Sequence, residues 1–247
     1  MDRLAAVSHL VYYDQRGRGR SSLGVEPEDV GIESEVDDLD QIRRHLGRST
    51  IALLGHSWGS VLAMEYATRH PEHVSHLILV NIAPASHRGL ISFREWRATR
   101  EGDNLKLLRA IAETPAFEAG DIAAETEYYR VHFGKSLYPP GDLDTLVGSL
   151  RTHFTPADVL KARAIEGRLH EQTWRRPEYD LIPRLRELKM PVLVIHGDSE
   201  LIPLECARNV AEAVPGAKLV VLNGCGHFAY LERPAEVLEA VAALLAG

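Results

Sequence analysis

A chain of 247 residues, 45% of them hydrophobic, is long enough to bury one α/β core with an insertion, whereas two independent domains are not favoured. Its net charge of −7 comes from interspersed acidic and basic residues, which argues against a nucleic-acid-binding tract or a membrane-binding surface. No apolar run reaches the roughly 18 residues of a membrane span, and no signal-peptide pattern is present. We therefore expect a cytoplasmic protein acting on small molecules. The two cysteines, Cys206 and Cys225, have no metal-ligand spacing and are expected to be reduced thiols.

The first predicted elements alternate between strand and helix. His9–Tyr13 is apolar and β-prone and precedes a polar, glycine-broken turn over Asp14–Ser22. Glu35–Leu46 has helical spacing of its apolar residues, and the apolar run Ile51–Leu54 predicts a buried strand. This order predicts a mainly parallel sheet with helices on both faces.

A serine follows the predicted strand Ile51–Leu54 at the point where the helix begins. The segment Gly55-His56-Ser57-Trp58-Gly59 has the G-x-S-x-G pattern of a nucleophile elbow. The sharp turn requires small neighbours, and we expect Gly55 and Gly59 to supply them. Ser57 is therefore the predicted nucleophile, and the backbone N–H of Trp58 is the predicted first donor of an oxyanion hole.

The alternation continues with a strand at His76–Val80 and is then interrupted. Residues 86–180 contain no convincing buried strand and predict a helical cap. Strands return at Met190–Ile195 and Lys218–Leu222, with helices near Leu204–Val214 and Ala235–Ala246. The predicted division is a core of residues 1–85 and 181–247 with a cap of residues 86–180.

Two later loops carry candidates for the remaining catalytic groups. His227 lies in a glycine-rich loop after the last predicted strand and is the predicted general base. The loop after Met190–Ile195 contains Asp198 and Glu200, either of which could orient the imidazole. The sequence pattern alone does not decide which of these two carboxylates orients the imidazole.

These motifs together resemble those of a known family. The elbow, the segment Tyr13-Asp14-Gln15-Arg16-Gly17-Arg18-Gly19 and Gly224-x-Gly226-His227-Phe228 are similar to α/β-hydrolases of the proline iminopeptidase-like group. The resemblance implies an α/β-hydrolase fold, a cofactor-free and metal-free serine hydrolase, and an acid three residues after Gly197, which is Glu200. It favours Glu200 over Asp198.

The resemblance also implies that the chain is N-terminally truncated relative to the family. His9–Tyr13 would be the family's fourth strand, and the first three strands and the oxyanion loop, which supplies the second N–H donor, would have no counterpart. A misassigned start and a truncated chain are the two explanations. We also expect exposed strand edges to favour association, so a homo-oligomer is possible.

The substrate is predicted from the cap. In similar aminopeptidases the cap supplies carboxylates for the substrate's free amine and an apolar pocket for its proline ring. Four glutamates of the cap could bind the amine, Glu125, Glu127, Glu166 and Glu171, and we choose Glu127 as the prediction. For the apolar pocket we predict Trp96, Tyr129 and Trp174, and Tyr128 and Phe133 are further candidates. The predicted function is aminopeptidase cleavage of short peptides, as by a proline iminopeptidase. An esterase using the same triad and a catalytically impaired binding protein are the alternatives.

Overall fold

The structure is a computed structural model that describes residues 1–21, 24–137, 143–150 and 153–247. The four strands are β1 (Ile51–Ser57), β2 (Val74–Ile82), β3 (Val192–Gly197) and β4 (Lys218–Leu222). The helices in the described ranges are α1 (Ile32–His45), α2 (Trp58–Arg69), α3 (His87–Ala112), α4 (Pro115–Glu118), α5 (Ile122–Phe133), α6 (Leu143–Ser149), α7 (Pro156–Gln172), α8 (Ile182–Leu185), α9 (Leu204–Ala213), α10 (Ala229–Glu232) and α11 (Pro234–Leu245). Short 3₁₀ turns cover Asp2–Ala6, Pro27–Asp29 and Pro71–His73.

The strands form one parallel sheet in the order β1-β2-β3-β4. All six residues of β3 are buried, as expected for a central strand covered on both faces. Successive side chains of β2 alternate between two hydrophobic clusters, with Leu77 and Leu79 in one and Ile78 and Val80 in the other. The predicted α/β-hydrolase architecture of a parallel sheet with helices on both faces is therefore confirmed.

The prediction of a strand at His9–Tyr13 is wrong. No strand is formed there, and Val11 and Tyr12 expose 47% and 62% of their surface. A strand is stable only when its backbone groups pair with a neighbour. In the described ranges β1 pairs with β2 alone, so the edge of β1 that faces this segment has no partner strand.

A groove lies between the N-terminal segment and the β1 edge. Its volume is about 410 Å³, and its walls include Gln15 from the N-terminal segment, Leu53 from β1, and Gly59 and Leu62 from α2. We call this space the β1 groove. Its position beside the end of β1 brings it next to the turn that carries Ser57.

The chain between β2 and β3 is helical in its described ranges. It begins and ends at one place, where Ser86 and Asp180 form an isolated antiparallel bridge. The backbone N–H of Leu181 donates to Ala85 O at 3.0 Å, which ties the two ends of this segment together. The division into a core and a cap of residues 86–180 stays a prediction. Among the described residues, no helix combines the length with the apolar character needed to cross a membrane.

Candidate active site

Ser57 occupies the turn between β1 and α2. Its backbone has φ 53° and ψ −124°, a conformation that a residue with a side chain rarely adopts and that the surrounding structure must enforce. Gly55 makes the turn possible, because a Cβ there would lie 2.3 Å from the backbone oxygen of Gly59. The strained turn places the Ser57 hydroxyl at the carboxyl edge of the sheet.

The expectation that Gly59 is needed for the same reason is not met. A Cβ on Gly59 would have no heavy atom within 4 Å among its described surroundings. Gly59 borders the β1 groove, and this open space explains the difference from Gly55.

The structure brings three of the predicted residues into one chain of hydrogen bonds. Ser57 Oγ lies 3.0 Å from His227 Nε2, and His227 Nδ1 lies 2.7 Å from Glu200 Oε1. An ionised carboxylate can only accept, so Nδ1 carries the proton and Nε2 accepts the Ser57 hydroxyl proton. This tautomer is the one a general base requires.

The environment of Glu200 keeps it ionised although it is only 4% exposed. Burial alone would raise its pKa, but the charge of His227, the hydrogen bond from its imidazole and the backbone N–H of Ile202 hold the pKa at about 2. Glu200 is therefore a permanent anion at neutral pH.

Asp198, the alternative acid, has different partners. Its Oδ1 accepts from the backbone N–H of Gly224 at 2.8 Å and from the Ser199 hydroxyl at 3.0 Å. These contacts fix the start of the loop that carries His227. The geometry therefore brings Glu200, and not Asp198, to the imidazole.

Sequence reasoning missed Asn81, which is fully buried at the end of β2. Its side-chain amide donates to Glu200 Oε2 and to Gly226 O, and its Oδ1 accepts from the backbone N–H of Ala229 at 3.2 Å. Asn81 also has a positive φ of 46°. A polar residue that ends an otherwise apolar strand next to the elbow strand was the signal that could have found it.

The main chain of His227 is held on both sides. Its N–H donates to Ser136 O at 2.6 Å, and its carbonyl accepts from His56 Nε2 at 2.7 Å. Burial, with the neighbouring His227, lowers the pKa of His56 to about 3, so His56 is a neutral imidazole at physiological pH. It holds the His227 carbonyl without adding a charge beside the imidazole.

A cavity of about 290 Å³ opens over Ser57 and His227. Trp58, Phe133 and Trp174 contribute aromatic walls. The indole rings of Trp58 and Trp174 meet edge to face with centroids 5.1 Å apart. A cavity with apolar walls and a serine at its base suits the acyl part of a small substrate.

Among the residues predicted to bind substrate, the cavity includes Trp174 but not Trp96, Tyr129 or Glu127. Trp96 is 37% exposed, and its ring lies under the guanidinium of Arg100. Glu127 forms an ion pair with Arg130 on the protein surface. Helical packing turns these side chains away from the cavity, which spacing along the chain did not reveal.

The backbone N–H of Trp58 is at the first position of α2, where helix geometry provides no intrahelical acceptor. The positive end of the helix dipole adds to its suitability as an oxyanion donor. Among the described residues, the second donor of the predicted oxyanion hole stays unassigned.

One group of potential metal ligands lies away from this site. Ligand atoms of His70, Glu72 and His73 are within 4.8 Å of one another at the end of α2 opposite to Ser57. Among the described residues, nothing else points to a metal there.

Comparison with known proteins agrees with this geometry. The family described as the alpha/beta hydrolase fold matches residues 2–234. A proline iminopeptidase of Lactobacillus delbrueckii subsp. lactis is 26% identical over 256 residues, covering 97% of this chain and 81% of the relative. An alpha/beta fold family hydrolase from Bacillus anthracis superposes with a TM-score of 0.71 at 18% identity, over 94% of this chain and 80% of that one. A proline iminopeptidase of Mycobacterium smegmatis superposes with a TM-score of 0.66 at 24% identity, over 95% of this chain and 78% of that one. This chain therefore belongs to the alpha/beta hydrolase family.

Proposed function

We propose that this chain is a serine hydrolase that cleaves small acyl compounds through an acyl-enzyme. The observation that carries the proposal is the continuous relay from Ser57 Oγ through His227 to Glu200, with distances of 3.0 and 2.7 Å, beneath a cavity of about 290 Å³. A chance arrangement would not combine a strained serine, a base with a fixed tautomer and a buried anion.

In the first half of the reaction, His227 Nε2 takes the proton of Ser57 as Oγ attacks the substrate carbonyl. The Trp58 N–H stabilises the oxyanion that develops. Glu200 stabilises the imidazolium, which then gives its proton to the leaving alcohol or amine as the bond to the carbonyl carbon breaks. The product that remains is an ester on Ser57.

In the second half, water replaces Ser57 as the nucleophile. His227 removes a proton from the water, which attacks the acyl-enzyme, and then returns a proton to Ser57 Oγ as the ester bond breaks. The free acid leaves. No cofactor is needed in this scheme, because each proton removed by His227 is returned within the cycle.

Labelling with a fluorophosphonate probe tests the proposal. We expect the purified chain to be labelled and Ser57→Ala to be unlabelled, because the probe forms a covalent bond only with an activated serine. Ser75→Ala is a matched control on β2, outside the cavity, and should be labelled like the parent chain. A folded parent chain that takes no label, or labelling that survives Ser57→Ala, would reject the proposal.

Two substrate classes have separate support. The relatives named proline iminopeptidase, at about 26% identity, favour release of an N-terminal residue from short peptides. The cavity, with no carboxylate among its described lining residues, favours an ester, because a free amine would have no acidic partner there. We therefore propose a carboxylic ester as the preferred substrate. Turnover of a prolyl arylamide against a short acyl ester separates the two.

A catalytically impaired, ligand-binding role is the remaining candidate. The unassigned second oxyanion donor is the observation in its favour, because loss of one donor costs about a hundred- to a thousandfold in kcat. Probe labelling without measurable turnover of either substrate class would support this role.

A further inference from the structure

The cavity over Ser57 has a positive character that the catalytic residues do not explain. Three arginines, Arg94, Arg97 and Arg175, line it together with apolar and aromatic residues, and no Asp or Glu is among its described lining residues. A cavity for a neutral acyl chain needs no arginines. Their presence indicates that the substrate carries negative charge.

The three arginines differ in how far their charge is already neutralised. Arg97 is paired with Glu101 at 3.0 Å, and both side chains are largely buried. Arg175 is paired with Glu171 at 3.1 Å, but both are more than half exposed, so this pair is weak. Arg94 has no ion pair among the described residues. It is the guanidinium most available to a ligand.

Arg94 and Arg175 line the same cavity from different parts of the chain. His170 also lines the cavity, and its pKa is lowered first by burial and then by the positive charges of Arg175 and Arg94. Arg94 lies on α3, and Arg175 follows the end of α7, where its backbone N–H donates to His170 O at 2.9 Å. A carboxylate can accept from such a guanidinium through both of its oxygens, since these match planar N–H donors.

The acidic residues that were candidates for binding an amine do not line the cavity. Glu125 is buried and paired with Arg163, and Glu127 is paired with Arg130. Glu171, the weakly bound partner of Arg175, does not itself line the cavity, and neither does Glu166. A substrate with a free amino group would meet positive charge at the cavity and no carboxylate.

We propose that the preferred substrates are esters that carry a carboxylate remote from the scissile carbonyl, with Arg94 as the principal residue that recognises it and Arg175 as its partner. This inference rests on the proposed serine hydrolase function and specifies its substrate class. The carboxylate lies either in the acyl half or in the leaving-group half of the ester. In both cases the reaction at Ser57 is unchanged, and the remote carboxylate contributes binding energy.

Matched pairs of esters test the proposal. For the acyl half, 4-nitrophenyl hemiadipate is compared with 4-nitrophenyl hexanoate, which has the same chain length without the charge. For the leaving-group half, 4-(butyryloxy)phenylacetate is compared with the corresponding uncharged phenylacetamide. We expect about a tenfold higher kcat/KM for the anionic member of one pair at low ionic strength, a preference that falls as added salt screens the exposed Arg94. Equal kcat/KM values in both pairs, or faster cleavage of L-prolyl 4-nitroanilide, would overturn the proposal.

Substitution of the arginine identifies the recognition site. Arg94→Gln should reduce the tenfold preference to near unity, mainly by lowering kcat/KM for the anionic ester, and Arg94→Glu should reverse the preference. Arg109→Gln is the matched control, because it removes the same charge from an exposed position of the same helix, away from the cavity. A preference that survives Arg94→Gln, or that Arg109→Gln abolishes equally, would refute the role of Arg94.

A binding measurement separates failure of this proposal from failure of the proposed function. Ser57→Ala cannot turn over an ester, but Trp58 and Trp174 in the cavity wall should report ligand binding by fluorescence. We expect adipate monoamide to bind about tenfold more tightly than hexanamide. If the chain neither reacts with the fluorophosphonate probe nor hydrolyses any ester, the hydrolase function fails and this binding ratio alone decides the charge preference. A ratio of one or less would reject it.

Discussion

The two sides of Ser57 differ in how completely they are built. On the side of β2 and β3, Glu200 and His227 are buried and joined by hydrogen bonds, and Asn81 completes the network. On the side of the β1 groove, the neighbouring segment forms no strand and Gly59 faces open space. The base and the acid are assembled by the described chain, while the second oxyanion donor is not assigned on the groove side.

This difference shows which parts of a hydrolase site are local. The elbow turn is determined by the backbone of β1 and the packing of Gly55 against α2, and the relay is determined by the ends of β1, β3 and β4 within one parallel sheet. An oxyanion hole needs donors from two separate elements, so it depends on what occupies the sheet edge. Substitutions on each side can therefore test the comparison.

The largest expected effect is on the built side, at the acid. Glu200→Gln should lower kcat by about 10³- to 10⁴-fold, because a neutral amide neither fixes the imidazole tautomer nor stabilises the imidazolium. Steady-state hydrolysis of a 4-nitrophenyl ester measures the effect.

Asp198→Asn is the matched control on the same loop. It keeps an oxygen that can accept from Gly224, so we expect a change of about tenfold or less. The reverse order of the two effects would transfer the orienting role to Asp198.

The next effect compares two glycines on opposite sides of the elbow. Gly55→Ala should lower the free energy of unfolding by about 3 kcal/mol or more, because its Cβ would collide with the backbone oxygen of Gly59. Gly59→Ala should be neutral or stabilising by up to about 1 kcal/mol, since alanine is the better helix residue. Urea denaturation of both variants measures the difference.

A comparable loss in both variants would contradict an open β1 groove. It would mean that another segment or a second copy occupies the space beside Gly59 in solution. The pair of glycines is therefore a direct test of the asymmetry around Ser57.

The smallest expected effect for a single residue is a pH dependence that arises on the side of His227 and Glu200. The pKa values of His56 and His132 are both lowered to about 3, with burial as the main cause, whereas an unfolded histidine has a pKa near 6.5. The unfolded chain therefore binds more protons between about pH 6.5 and 3, so stability is full above this window and is lost as the pH falls through it. At pH 5 the cost is about 2 kcal/mol for each histidine at most.

Urea denaturation at pH 7 and pH 5 measures this loss of unfolding free energy. In His132→Phe the loss should be smaller by the contribution of one histidine. A free energy of unfolding that stays constant between these pH values would contradict the burial of neutral imidazoles beside the site.

The sequence predicted the parts of the fold that depend on local pattern. The apolar runs at β1, β2, β3 and β4 and the elbow motif were recognised because period and turn chemistry are visible along the chain. His9–Tyr13 has the composition of a strand, but no described strand pairs with it. Composition does not show which segments of the chain will pair in space.

The site residues were also predictable only where a local motif marks them. Ser57 and His227 were found from motifs, and family spacing favoured Glu200 over Asp198. Asn81 was missed because its role depends on how the end of β2 lies beside the loops that follow β3 and β4. The arginines of the cavity were missed because the helices between β2 and β3 carry no motif. Which side of a helix faces a cavity is decided by tertiary packing, as the outward position of Trp96 illustrates.

The hydrogen bond from the His227 N–H to Ser136 O links the chemistry to the helical segment. Gly226 allows this approach, since a Cβ there would lie 2.2 Å from the same oxygen. The main chain of His227 is thus anchored both to His56 on β1 and to the chain that follows α5. A substrate that displaced α5 on entry would remove one support of the base it needs. The rate of turnover should therefore depend on how tightly α5 and the residues after it pack against the His227 loop. Variants far from Ser57 that loosen α5 should slow the reaction while the sheet stays folded.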